Sequence, residues 1–470
     1  MYPVRRFSLS VLCAAGVLGL AAGAADAAAP LSPAGAAARP DEAIESVAPV
    51  RHLVLFAEQG VPAGFAAEVA ALGGTVEFSH ASGIAIVGGL AEGAASQLGA
   101  SASVASVQPD AMFPVDVAAV GDAEATAVAD AGETSTAAPA TSEFFPRQWH
   151  HRAIGADRAW AAGRTGSSAV TVAILDSGVD YTHTDLAGLV DLSRSASFVP
   201  TDDKLVAANF PGRHLSTDLR YHGTHVAATV SSNARLAAGV TSRVRLMSVK
   251  VLDRNGNGTF GAIMQGVLYA TDNGADVINM SLGGAFGKAG NGPYVAYINR
   301  VFNATKAAGA TVVVSAGNDN RDMDHDGNLY LNYCNTTNVI CVSATGPTGA
   351  AGINGPFYQV DARAPYSNFG RSSVSVAAPG GAQRFVWAAC STTSLIYTVC
   401  RPGGFVLGLN GTSMAAPHVS GLAALLVEKY GRNPAQIRHA IQSSADDLGE
   451  TGTDPFYGKG RINVARALGL

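Results

Sequence analysis

From Ser142 onward, short runs of continuous apolar residues alternate with longer stretches in which apolar residues recur at helical spacing. Val170–Leu175, Arg245–Val251, Val277–Met280 and Thr311–Ser315 are runs of the first kind. A strand that is apolar at nearly every position has no side left for water, so these runs predict strands buried on both faces of a parallel sheet. The intervening helical patterns supply the covering layers. The fold class is therefore α/β, a parallel sheet flanked by helices on both faces.

Ahead of this region the pattern is shorter and different. Val50 to Phe56 reads as a strand, Ala63 to Leu72 as a helix, and Thr75 to Phe78 and Gly83 to Val87 as strands. Glu92 to Gly99 reads as a helix and Ser103 to Val107 as a last strand. The β-α-β-β-α-β order predicts a small α+β, ferredoxin-like unit from about residue 50 to 114. Residues 30–49 are Ala/Pro-rich. Residues 115–141 are rich in Ala, Thr, Asp and Glu without a basic residue, a composition that cannot bury a core and reads as a linker. Residues 1–29 read as a secretory signal: Arg5 and Arg6, an apolar run from Phe7 to Ala25, then Ala25-Asp26-Ala27 as a small-x-small cleavage site. The expected organisation is a signal at 1–29, an N-terminal segment at 30–114, a linker at 115–141 and one large domain at 142–470.

Composition sharpens this picture in three places. Of 470 residues, 48% are hydrophobic and 14% charged, as a large globular core requires. The net charge of -5 is divided unevenly: Pro40 to Thr141 holds 13 acidic residues and one basic residue, whereas Ser142 to Leu470 carries a small basic excess. Opposite signs let the two parts attract each other. The basic excess is spread out, which argues against nucleic acid as a partner. Beyond the signal no run reaches the roughly 18 apolar residues of a spanning helix, so no stable membrane anchor is expected. Four cysteines remain after signal removal, Cys334, Cys341, Cys390 and Cys400. An even number in an exported chain suggests disulfides. Three pairings are open, and Cys334–Cys341 with Cys390–Cys400 is favoured because both close short loops.

The candidate chemistry lies in three segments. Asp176 follows an apolar strand in Val172-Ala173-Ile174-Leu175-Asp176-Ser177-Gly178. His222 opens a helix of small residues in His222-Gly223-Thr224-His225-Val226-Ala227. Ser413 stands at the start of a long apolar helix in Gly411-Thr412-Ser413-Met414-Ala415-Ala416-Pro417-His418, with Pro417 expected near its first turn. An Asp at a strand end can fix a His tautomer, and a Ser at a helix N-terminus sits where developing negative charge is favoured. The chain order Asp, His, Ser is the one known for subtilisin.

Together these segments resemble the subtilisin-like serine protease family. The resemblance implies a secreted serine endopeptidase made as a zymogen, extracellular or periplasmic, acting as a monomer on polypeptide substrates with broad specificity. Asp176, His222 and Ser413 would form the triad, with His222 rather than His225 as the base. Asn318, in Ser315-Ala316-Gly317-Asn318-Asp319, would supply the oxyanion donor. Ser281-Leu282-Gly283 and Ser315-Ala316-Gly317 would wall the primary pocket, and Gly256-Asn257-Gly258 would form a second peptide-binding edge. The N-terminal α+β unit resembles the family's propeptide, an intramolecular inhibitor and folding aid. Two other readings stay open, a catalytically silent binding or scaffold protein on this fold and an esterase using the same triad. No cofactor is needed for catalysis. A structural calcium ion has two candidate places: Asp185, which resembles a family ligand, and the loop Asp322-Met323-Asp324-His325-Asp326-Gly327, whose alternating carboxylates and Gly match the opening of an oxygen-ligand loop.

Overall fold

The computed structural model describes residues 51–114, 126–127, 138–331, 333–402 and 405–470. The expected signal, the Ala/Pro-rich stretch and most of the acidic stretch lie outside the described residues.

The N-terminal elements follow the expected order: β1 (Arg51–Phe56), α1 (Phe65–Ala71), β2 (Thr75–His80), β3 (Ile84–Gly88), α2 (Glu92–Gly99) and β4 (Val104–Pro109). The strands form an antiparallel sheet in the order β2-β3-β1-β4. Its strands divide their side chains between two cores. Val54, Phe56, Ala85 and Val87 pack on Phe65, Val69 and Leu98 of the two helices. Leu53, Leu55, Ile84 and Ile86 face the other way and join a core with Phe260, Tyr297, Ile298 and Val301 of later helices. The second face is apolar because it is covered. A further short strand, β5 (Met112–Pro114), then leaves this sheet.

The larger domain is built on β6 (Thr171–Asp176), β7 (Ala196–Ser197), α3 (His222–Val230), β8 (Arg245–Lys250), β9 (Asn257–Thr259), α4 (Phe260–Asp272), β10 (Val277–Met280), α5 (Gly292–Ala307), β11 (Thr311–Ser315), β12 (Val339–Thr345), β13 (Val376–Pro379), β14 (Val386–Ala389), β15 (Phe405–Leu409) and α6 (Thr412–Tyr430). Seven of these strands form one sheet in the order β13-β12-β11-β10-β6-β8-β7, parallel throughout. The four strands read from the sequence in this region are found within one residue of their expected ends, whereas Thr75–Phe78 and Ser103–Val107 of the first sheet run on by two residues. Val172, Ile174 and Val313 enter one core with Val419, Leu422 and Leu426 of α6. Their neighbours Ala173, Leu175, Val312 and Val314 enter the other with Ile263, Met264 and Val267 of α4. This is the period-two side-chain alternation of a strand sandwiched between helices.

From β6 the chain runs outward to β7 and β8, then recrosses to β10 and continues to β13. The connections thus diverge on either side of β6, and a crevice opens at the C-terminal ends of β6 and β10. Both expected disulfides are present, Cys334–Cys341 and Cys390–Cys400.

Candidate active site

Asp176 is the last residue of β6, so strand geometry delivers its carboxylate to the crevice. It is fully buried and accepts a 2.8 Å hydrogen bond at Oδ1 and a 2.9 Å contact at Oδ2 from Nδ1 of His222, plus 2.7 Å from the Ser177 backbone N–H. A carboxylate accepts only, so His222 carries its proton on Nδ1 and presents a lone pair at Nε2. Nε2 is buried without a hydrogen-bond partner among the described residues.

His222 is the first residue of α3, and the helix start is forced against the end of β6. A Cβ on Gly223 would lie 2.1 Å from the Gly178 carbonyl oxygen and 3.1 Å from Asp176 Cβ, so only glycine fits beside the histidine. The helix start is held by Asp218, which accepts from the Thr224 N–H at 3.0 Å, the Thr224 hydroxyl at 2.6 Å, the Arg220 N–H at 2.8 Å and the Ser177 hydroxyl at 2.9 Å. Burial pushes the Asp218 carboxyl up, and the bonds from Thr224 and Arg220 oppose that shift. His225 points away from the crevice. Its Nε2 lies 3.1 Å and 3.0 Å from the Val386 and Leu407 carbonyl oxygens, and burial lowers its pKa to about 3.

Ser413 is the second residue of α6, and its hydroxyl donates to the Ser281 carbonyl at 3.2 Å. Pro417 lies in the second turn, near the helix start as the sequence reading expects. It is inside the helix, where it has no N–H to give the carbonyl four residues earlier, that of Ser413. The Ser281 hydroxyl fills this gap with a 2.8 Å bond to the Ser413 carbonyl. Asn279 donates to the same hydroxyl at 2.9 Å and accepts from Ser420 at 2.8 Å, locking the end of β10 to α6.

Asn318 follows β11 and the turn at Gly317, whose φ of 97° requires glycine. Its Oδ1 accepts from the Thr412 N–H at 2.8 Å and the Thr412 hydroxyl at 3.0 Å. The amide oxygen is thereby committed to the start of α6 and the NH2 is turned the other way. Thr412 also accepts from the Gly317 N–H at 3.0 Å. Three strand ends of the sheet and two helix starts thus converge on the crevice. It holds a carboxylate–imidazole pair, a serine at a helix N-terminus and an oriented amide, the equipment of nucleophilic acyl transfer.

Residues 167–460 match the sequence profile of the Subtilase family. The chain belongs to this family. The present subtilase is 36% identical over 315 residues to a thermophilic serine proteinase of Bacillus sp. (strain AK1), covering 66% of this chain and 64% of that relative, just under two thirds of its length. It is 35% identical over 329 residues to thermitase of Thermoactinomyces vulgaris, covering 69% of this chain and 97% of thermitase. Among solved structures, fervidolysin from Fervidobacterium pennivorans, a keratinolytic enzyme related to subtilisin, gives a TM-score of 0.65 at 25% identity, over 90% of this chain and 61% of that one. The epidermin leader peptide processing serine protease of Staphylococcus aureus shares the fold, with a TM-score of 0.67 at 19% identity over 90% and 98% of the two chains.

The segments expected to hold substrate also lie at this edge of the subtilase. Ser281 and Gly283 follow β10, with Leu282 buried in the core. Ser315 ends β11, and Asn368 anchors the next two residues by donating from its side-chain amide to the Ala316 carbonyl at 3.0 Å and from its backbone N–H to the Gly317 carbonyl at 3.0 Å. Gly256 precedes β9 and Gly258 lies within it. Strand β9 is not free. It pairs antiparallel with β5 of the N-terminal unit, Gly258 opposite Phe113. Asp110, just before β5, accepts from the Gly261 N–H at 2.7 Å at the start of α4 and contacts Arg51 at 3.2 Å. Burial pushes the Asp110 carboxyl up.

The expected metal ligands are not brought together. Asp185 is buried, and its two oxygens accept backbone N–H bonds from Arg235 and Leu236 at 2.9 Å and from Ala237 at 3.1 Å. It anchors that loop through backbone amides. Asp322 bonds His325 at 2.8 Å, Asp324 accepts from Ser372 and Ser373 at 2.7 and 2.8 Å, and Asp326 pairs with Lys288 at 3.0 Å. The alternating spacing set the carboxylates apart, and the fold gave each its own donor.

Sequence reasoning missed Asp218, Asn279, Ser420 and Asp110. Asn279 did leave a trace, as a polar residue inside the apolar run Val277–Met280. A polar side chain in a strand buried on both faces must find partners.

Proposed function

We propose that this subtilase is a secreted serine endopeptidase, made as a zymogen and cleaving peptide bonds through an acyl-enzyme. The observation that carries the reading is the buried Asp176–His222 hydrogen bond at the edge of the sheet, together with Ser413 in the first turn of α6. In the reaction the Ser413 hydroxyl turns from the Ser281 carbonyl to His222 Nε2, gives up its proton there and attacks the scissile carbonyl. Asp176 holds the imidazole in the required tautomer and stabilises the imidazolium. The Asn318 amide and the Ser413 N–H receive the oxyanion. His222 returns the proton to the leaving amine, and water releases the acyl group. Gly256–Gly258 and Ser281–Gly283 bind substrate as an added strand, through main-chain bonds that depend little on its sequence.

The N-terminal ferredoxin-like unit acts as propeptide. Its strand β5 lies along β9, the edge assigned to substrate, so an incoming peptide must displace it. Paired disulfides fit export to an oxidising compartment. A fluorophosphonate labels Ser413 in the processed enzyme and fails on Ser413→Ala, which also stays unprocessed. Processed wild-type protein that resists labelling would overturn the reading in favour of a silent binding protein.

A further inference from the structure

Away from the crevice, three fully buried histidines meet: His150 and His151 on the short helix Trp149–Ala153, and His418 on α6. One ring nitrogen from each lies within 4.8 Å of the other two. The surrounding contacts fix where the lone pairs are. His418 Nδ1 lies 2.8 Å from the Met414 carbonyl oxygen, which can only accept, so the proton is on Nδ1 and the lone pair on Nε2. His151 Nε2 lies 2.9 Å from the Ala238 carbonyl oxygen, so its lone pair is on Nδ1. That Nδ1 is buried and has no hydrogen-bond partner among the described residues. His150 Nδ1 faces the His418 lone pair at 2.8 Å, and His150 Nε2 likewise has no partner among the described residues.

We propose that His150, His151 and His418 form a buried binding site for zinc. Three observations support it. First, a metal-ligating histidine characteristically donates its other N–H to a carbonyl or carboxylate, which fixes tautomer and ring direction. Met414 and Ala238 do this for two of the three rings. Second, all three imidazoles are fully buried, away from the water that would stabilise a charged ring. Neutral imidazole is the ligating form. Third, an all-nitrogen donor set suits zinc rather than calcium, which takes oxygen ligands. Tetrahedral zinc with bonds of about 2.0–2.1 Å needs ligand nitrogens roughly 3.3 Å apart, so His150 Nδ1 and His418 Nε2, now 2.8 Å apart, spread slightly, His151 closes to the same spacing from within 4.8 Å, and water takes the fourth position. Binding through His150 Nδ1 moves that ring's proton to Nε2, with no net proton lost. The ion would tie the start of the catalytic domain to the helix that carries Ser413.

The test uses the tag-free full chain carrying Ser413→Ala, so that it cannot cut itself, refolded with zinc sulfate and desalted over chelating resin. Metal analysis should give about one zinc per chain, and refolding with cobalt(II) should give the strong visible bands of a four-coordinate site. His151→Leu should bring the zinc content below about a tenth per chain, while His151→Cys, which keeps a ligand, retains it. A parent chain that folds without zinc and shows no cobalt bands overturns the proposal. So does full zinc content in His151→Leu. Should His151→Leu fail to fold, the parent and His151→Cys measurements still decide.

Discussion

The Ser281 hydroxyl donates to the Ser413 carbonyl, the one helical acceptor that Pro417 leaves without a donor. The backbone of Ser413, the proposed nucleophile, is therefore positioned by a side chain from the segment that follows β10. Removing that side chain leaves a buried carbonyl unsatisfied, a cost of about 1–3 kcal/mol. Ser281→Ala should lower the thermal midpoint and reduce kcat more than it raises KM. Pro417→Ala restores an N–H four residues after Ser413. Ser281→Ala should then cost measurably less in the Pro417→Ala background, and equal cost in both would sink this account.

Asn318 carries two tasks on its two ends. Its oxygen caps α6 and its NH2 is assigned to the oxyanion. Asn318→Asp keeps the cap acceptor and loses the donor, whereas Asn318→Ala loses both. Both should reduce kcat, on the scale of about 2.7–4 kcal/mol known for such a donor in subtilisin. Only Asn318→Ala should also lower the melting temperature clearly, by the about 1 kcal/mol typical of a lost cap. Calorimetry beside kinetics separates the two.

Asp110 links the N-terminal unit to the start of α4 through Gly261. Asp110→Ala removes that bond and the Arg51 contact, weakening the docking by about 1 kcal/mol or more. In the full chain carrying Ser413→Ala, amide exchange at Gly261 and across β9 should speed about fivefold or more. Unchanged exchange would show that β5 is held by its own pairing alone.

Four buried histidines, His150, His151, His225 and His418, have pKa values below the ordinary 6.5, two of them at about 4 and about 3. The sign follows from proton binding. Below 6.5 the unfolded chain takes up these protons and the folded chain does not, so stability is complete above 6.5 and falls as pH drops toward the folded values. Each imidazole contributes about 1.4 kcal/mol per pH unit. Denaturant midpoints of the zinc-free chain should therefore decline steeply from pH 6.5 to about 4. His225→Asn should make that decline shallower. An identical slope would assign the acid limb to carboxylates.

The sheet and its order of elements were legible in the sequence because burial on both faces writes itself as unbroken apolar runs such as Thr311–Ser315. Asp176, His222, Ser413 and Asn318 were legible because each stands at the end of such a run or the start of a helix, where backbone direction alone sends side chains to one edge. The disulfides followed from loop length.

What the sequence could not determine was which polar groups find one another. Asp185 and the Asp322–Asp326 loop had the composition of metal ligands, yet the fold supplied backbone amides, serines and a lysine to them first. The bond from Ser281 to Ser413 spans 132 residues, and His150 meets His418 across 268. No local spacing encodes such pairs. They arise when packing removes water from both partners at once and leaves each the other's remaining donor or acceptor.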